Sequence, residues 1–339
     1  MTIVSRYYVG LDYHLDSIRV CVLDQEGYEC VNRSVPNEVT TVLELVDRYG
    51  EPEVVALEAC CGTSDFAEEL HQRTGWTVKL ADAGAVQAMK RGPDKTDRGD
   101  AFWLADLARV DHLPEVWLPD ARTRQLRRLV RYRQQLAKER REIKQHLRGL
   151  LNEERVQAPM NAWTVAWREW LLANEELGEE SRWVVRRQLT RLDQLDQEIS
   201  TVEERLEQAT AADPLTSQLR QHKGVGLVTA ATLRAEIGAF ERFTSGKQLA
   251  RYCGVTPCNR SSGKTRADAG LVKRASRVLR TVVIEMAHRL ARWDERWRRF
   301  KEQLMRRGKP RSVAAAAVAN RWVRWLYHQI VHEHACVAA

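Results

Sequence analysis

Short apolar runs open the chain. Residues 7–12 (YYVGLD), 17–23 (SIRVCVL) and 28–34 (YECVNRS) are rich in β-branched and aromatic residues, with polar or glycine-containing turns between them. That pattern predicts an antiparallel meander. The spacing then alternates: residues 38–49 predict a helix, 53–57 (EVVAL) a buried strand, 64–74 a helix and 77–80 (TVKL) another strand. Three hairpin strands followed by alternating helices and strands predict a mixed sheet with helices packed on it.

From 123 to about 150 the apolar period changes. Leu126, Leu129, Leu136, Ile143, Leu147 and Leu150 recur at helical steps, and Val185, Leu189, Leu192, Ile199, Val202 and Leu206 repeat the rhythm. Two long helices separated by a Trp-rich segment (Trp163, Trp167, Trp170) predict either an antiparallel hairpin or a coiled coil between two copies. A last, mostly helical module begins near Pro214. Its stretch HKGVGLVTAATLRAEIG (222–238) carries a tight Gly-x-Gly turn between helical segments, resembling a helix-hairpin-helix. In such a turn Gly224 and Gly226, beside Lys223, leave backbone N–H groups open to a DNA phosphate. An ordinary glycine-containing helix connection is the plainer reading. A loop from Gly254 to Gly270 and helices at about 273–292 and 312–333 complete the pattern, giving three domains at 1–120, 121–212 and 213–339.

Composition narrows the class. A chain of 339 residues with 44% hydrophobic and 29% charged residues is neither disordered nor collagen-like. It has no apolar window approaching the roughly 18 residues of a membrane span, and Asp12 interrupts the N-terminus too early for a secretory signal. Seven cysteines read as reduced thiols, with the cytoplasm as the default compartment. The net charge of +8 is unevenly placed: residues 1–100 carry ten basic and eighteen acidic side chains, whereas the remainder carries 44 and 28. Between 122 and 148 there are eleven Arg or Lys against Glu139 and Glu142, and between 251 and 311 eighteen basic against five acidic residues. An acidic module joined to a basic one fits a metal-holding part attached to a phosphate-gripping part. A solvated surface with no partner is the bland alternative.

The candidate chemistry lies in the acidic part. Asp12 ends the first apolar strand, and Glu58 holds the equivalent place after EVVAL. Asp97 and Asp100, in KTDRGDA, open a helical run with Thr96 as N-cap, and their i, i+3 spacing puts them on one face. Four such oxygen ligands suit Mg²⁺ or Mn²⁺, and two metals in one site stabilise both oxygens of a phosphoryl transfer. Taken singly, each acid reads as surface.

These segments resemble a known family: the IS110-type insertion-sequence transposases and the related Piv-type DNA invertases. GLDYHLDSIRVCVLD, LEAC around Glu58 and KTDRGDA resemble its RuvC-like, ribonuclease-H-fold "DEDD" domain. GVGLVTAATLRAEIGAFERFTSGKQLARYCGVTP and RSSGKTR…LVKRASRVLR resemble its C-terminal transposase domain. The resemblance implies that Asp12, Glu58, Asp97 and Asp100 are metal ligands, and that Ser262, just before the glycine of RSSG, is a nucleophile forming a phosphoserine–DNA intermediate. Without it, Ser261-Ser262-Gly263 reads as a flexible turn. It further implies double-stranded donor and target DNA, a structured noncoding bridge RNA as guide, and a dimer or tetramer. In that assembly the carboxylates and the serine come from different protomers, and the helical middle segment mediates dimerisation. Arg260, Lys264, Arg266 and Lys273 are cationic neighbours suited to a serine attacking an anionic phosphodiester. After Lys273 the chain reads Arg274-Ala275-Ser276, where the family often has Gly-Asn.

Two rivals follow from the residues alone: a metal-dependent nuclease or junction resolvase without a covalent intermediate, and a non-catalytic DNA- or RNA-binding protein. Cys60-Cys61, Cys253 and Cys258 read as packing or incidental thiols, and His332, His334 and Cys336 as a tail.

Overall fold

The computed structural model describes residues 6–90, 96–262 and 265–337, with side chains described outside 259–269 and 332–339. Two compact units divide the chain, Met1–Ala121 and Arg122–Ala339.

The first unit is a six-stranded mixed sheet with helices on both faces. Strands β1 (Tyr7–Tyr13), β2 (Ser17–Asp24) and β3 (Glu29–Pro36) form the antiparallel meander. Helix α1 (Val39–Val46), β4 (Pro52–Glu58), α2 (Thr63–Thr74), β5 (Val78–Ala81), α3 (Ala83–Met89), α4 (Asp97–Arg109) and the two-residue β6 (Glu115–Val116) follow. The strand order is β3-β2-β1-β4-β5-β6, with β1, β4 and β5 parallel. This is the ribonuclease-H-like arrangement of sheet and helices that the element order predicts.

Strand parity sorts the side chains. Val9, Leu11, Val55 and Leu57 pack with residues of α1 and α2 in one buried cluster, whereas Ala56, Ala81, Leu104 and Leu107 form a cluster on the α4 side. Period two therefore places Asp12 and Glu58 on the α4 face, with Gly10 and Ala56. Helix α4 lies very close there. A Cβ on Gly10 would stand 2.0 Å from the Ala101 carbonyl oxygen and 2.6 Å from the Ala105 nitrogen. Small residues at 10, 101 and 105 thus bring the start of α4 to the end of β1. Arg98 holds that start in place through an ion pair with Glu29 at 2.5 Å, and its carbonyl accepts from Asn32 Nδ2 at 3.1 Å.

The second unit is mostly helical. Helices α5 (Ala121–Glu153) and α7 (Glu179–Thr210) pack through their leucine stripes, with Trp167 of the short α6 (Val165–Ala173) buried in the same cluster. The ion pairs Arg133–Glu203 at 2.6 Å and Arg140–Asp196 at 2.8 Å run in opposite sequence senses. Within one chain α5 and α7 form the antiparallel hairpin that the periodicity allows.

Next come α8 (Pro214–Gln221), α9 (Leu227–Ile237), a 3₁₀ turn at Phe240–Arg242 and α10 (Gly246–Tyr252). A two-stranded hairpin of β7 (Pro257–Ser262) and β8 (Thr265–Leu271) precedes α11 (Arg277–Trp293), α12 (Glu295–Arg306) and α13 (Arg311–Val337). Phe240, Leu249, Met286, Trp322 and Leu326 are fully or almost fully buried in one core; full burial of a side chain of this size contributes about 1.5–3 kcal/mol.

Three sequence expectations need correction. The loop expected over Gly254–Gly270 is largely the β7–β8 hairpin; β7 (PCNRSS) has no apolar alternation, and in β8 (TRADAGL) the alternation rests mostly on alanines, which carry little strand signal. Helix α11 starts at Arg277 rather than 273, because the Ser276 side chain caps it by accepting from the Leu279 amide. Helix α12, capped by Asp294, occupies a stretch with no predicted element.

Candidate active site

Four carboxylates come from three elements of the first unit. Asp12 is the penultimate residue of β1, and Glu58 is the last of β4. The two lie one step beyond the paired residues Leu11 and Leu57. Asp97 and Asp100 stand in the first turn of α4, whose N-cap Thr96 accepts from the Gly99 amide at 3.2 Å. That cap fixes where the helix begins and so directs both aspartates toward the strand ends. Asp97 is exposed and Asp100 buried.

Two nitrogen groups sit among these acids. His14 Nε2 lies 3.1 Å from Asp12 Oδ2 and 3.6 Å from Asp97 Oδ1. Among the described residues, Asp12, His14 and Asp97 form a group whose ligand atoms lie within 4.8 Å of one another. Lys90, the C-cap of α3, donates from Nζ to Asp100 Oδ1 at 2.6 Å and lies 3.8 Å from Glu58 Oε1. The acids therefore fall into two pairs, Asp12 with Asp97 and Asp100 with Glu58. Asp12 links them electrostatically. Burial pushes its carboxyl above the ordinary value, His14 pulls it down, and the charges of Asp100 and Asp97 push it up again.

The donor set fits a divalent cation. Hard carboxylate oxygens predominate, the crowded negative charge calls for a cation, and a lysine ammonium already lies against two of the acids.

His14 and Lys90 were not among the candidates read from the sequence. For His14 a signal exists, because it follows Asp12 by two residues and so keeps its parity at the strand end. Lys90 has none: it meets Asp100 and Glu58 from ten and thirty-two residues away.

The second unit carries the other candidates. Ser262 ends β7, its backbone opposite Thr265, while Arg260 pairs with Ala267 and Arg266 with Ser261. The side chains of these residues, and Lys264 altogether, lie outside the described residues, as do the side chains of His332, His334 and Cys336. Lys273 is exposed between β8 and α11.

The Gly-x-Gly turn links α8 to α9. Gly224 has φ +83°, a left-handed conformation that favours glycine, and Gly226 is the N-cap of α9. Arg289 of α11 braces the turn, donating from Nη2 to Thr229 Oγ1 at 2.8 Å. Lys223, Gly224, Gly226, Arg220 and Arg289, together with Glu203, line an open groove of about 630 Å³. Among the described residues, no helix is long and apolar enough to cross a membrane.

Comparison with known proteins gives two family matches. A model described as "Transposase", of the DEDD IS110 type, matches residues 9–155, and one described as "Transposase IS116/IS110/IS902 family" matches residues 216–302. The chain is 28% identical over 295 residues to a probable family 20 transposase of Pseudomonas aeruginosa, covering 83% of this chain and 85% of that protein. It is 27% identical over 328 residues to the transposase for insertion sequence element IS1111A of Coxiella burnetii, covering 94% and 88%. With the transposase for insertion sequence element IS1328 of Yersinia enterocolitica it shares 26% over 291 residues, covering 80% and 82%.

Proposed function

The chain belongs to the IS110-type transposases, and from that premise we propose that it cuts and rejoins DNA with divalent metal, moving its insertion element by Mg²⁺-dependent strand transfer through a phosphoserine. The observation carrying this reading is the convergence of Asp12, Glu58, Asp97 and Asp100 where β1, β4 and α4 end or begin. These four residues would hold the metal. Bound there, it would supply positive charge against the oxygens that gain charge as a phosphodiester exchanges ligands.

The remaining chemistry belongs to the chain. The Ser262 hydroxyl attacks phosphorus: a bond from Oγ to phosphorus forms, one phosphorus–oxygen ester bond breaks, and the departing deoxyribose hydroxyl carries away a proton equivalent to the one the serine loses. The reverse step, with a hydroxyl from another strand, rejoins DNA and frees the serine without an energy-rich co-reactant. Arg260, Lys264, Arg266 and Lys273, all on or beside the β7–β8 segment, lower the repulsion between an anionic strand and its attacker. His14, at 3.1 Å from Asp12, orients that carboxylate.

The same proposal assigns target and donor choice to base pairing with a structured noncoding bridge RNA. It divides the chain functionally at 1–120, 121–212 and 213–339, with the helical middle segment joining protomers into a dimer or tetramer. Carboxylates of one protomer then serve the serine of another. The +16 balance of residues 101–339 supports extensive phosphate contact.

Incubation of element-end duplex and guide RNA with the protein in Mg²⁺, followed by denaturing electrophoresis, tests this reading. The native chain yields SDS-stable protein–DNA adducts, and both Ser262→Ala and EDTA abolish them. Cleavage that persists in Ser262→Ala without adduct identifies a nuclease instead.

A further inference from the structure

Lys90 lies among the carboxylates without belonging to the motifs that supply them. Its side chain, about 14% exposed, reaches from the end of α3 to Asp100 of α4 and Glu58 of β4. An ammonium is a compact point charge on a flexible stem, free to meet two acids on different elements and equally free to swing away. Two carboxylates drawn this near repel unless a cation lies between them. A divalent ion would perform the same electrostatic task, on the same oxygens.

We infer that Lys90 is a positioning residue of the metal centre: it holds Asp100 and Glu58 together before metal enters, and must release them for metal to bind. The inference rests on the proposed reading of the four acids as metal ligands. Apparent metal affinity is then reduced by the fraction of molecules in which Lys90 has let go. With release in about one molecule in ten, the apparent Kd is about tenfold weaker than the intrinsic one. Lys90 thereby sets the divalent concentration at which the enzyme becomes competent.

The test is a Mn²⁺ titration of the full chain without DNA, following the loss of the free-ion electron paramagnetic resonance signal. Native protein, Lys90→Met, Lys90→Arg and Lys79→Met are compared. Lys79 pairs with Glu115 at 3.1 Å, so Lys79→Met removes a charge elsewhere in the same unit. The expected result is about tenfold tighter Mn²⁺ binding by Lys90→Met, with Lys90→Arg and Lys79→Met staying near the native affinity. Native or weaker affinity in a folded Lys90→Met overturns the role of Lys90 and leaves the metal reading standing, as does equal tightening by Lys79→Met. Absence of Mn²⁺ binding by native protein and Lys90→Met alike overturns the metal reading, and this inference with it. Thermal melts in EDTA and in Mn²⁺ cover the case in which Lys90→Met folds poorly. A larger Mn²⁺-induced rise in Tm than in the native chain supports the inference, and failure to fold in both conditions overturns it.

Discussion

Asp12 of the first unit and Asp213 of the second live in opposite electrostatic settings. In the second unit Asp213 accepts from the Thr216 amide at 2.8 Å, the Thr216 hydroxyl at 2.6 Å and Arg234 Nε at 3.0 Å. Burial pushes its carboxyl up, but these donors together hold it below the ordinary 3.8. Glu236 is similarly paired, accepting from Arg131 Nε and Nη2 at 2.9 and 3.3 Å. In the first unit Asp12 is raised by burial and by neighbouring acids, and His14 offsets this only in part. Asp213, its oxygens filled by the Thr216 cap and Arg234, serves the fold. An acid crowded by other acids is kept in place at a cost to the fold, a signature of sites built for a cation.

The largest predicted effect breaks this comparison at Asp12. Asp12→Asn lowers strand cleavage by at least about 10²–10³-fold, the scale of losing one transition-state charge contact. Because the charged form is the disfavoured one in the native site, the same change leaves Tm unchanged or raised at neutral pH. Cleavage assays paired with calorimetry measure both.

Asp213→Ala has the reverse profile. It removes the N-cap of α8 and strands a largely buried Arg234, costing about 2–4 kcal/mol in a urea melt. Mn²⁺ affinity stays native.

The pH dependence sharpens the contrast further. A carboxyl held below its unfolded value contributes stability that is present above that value and disappears as pH falls through the folded one. Urea melts of the native chain therefore lose stability below about pH 4, and Asp213→Asn flattens that loss. At the small end, Arg140→Ala removes a half-exposed pair with Asp196 between α5 and α7 and changes stability by about 0.5 kcal/mol.

The same contrast explains what the sequence reveals. Asp12 and Glu58 are legible because an apolar strand advertises its face and its end, and Asp97 and Asp100 because Thr96 marks a helix start. Local rules suffice for each. Lys90 meets its acids only through tertiary packing, so no spacing announces it. The β7–β8 hairpin escapes a reading based on apolar alternation because β7 is almost wholly polar and alanines supply most of the alternation in β8. Gly10 is an intermediate case: glycine in a buried strand signals close approach, but only the structure shows that the backbone at Ala101 and Ala105 is what approaches. Gly10→Ala forces α4 off the sheet and is expected to cost about 3 kcal/mol, together with the convergence of the acids.

Calorimetric titration of Mn²⁺ into Asp12→Asn and Asp213→Asn tests the central claim most directly. The account predicts heats of saturable binding for Asp213→Asn like those of the native chain, and their loss in Asp12→Asn. Native-like binding by Asp12→Asn would contradict it.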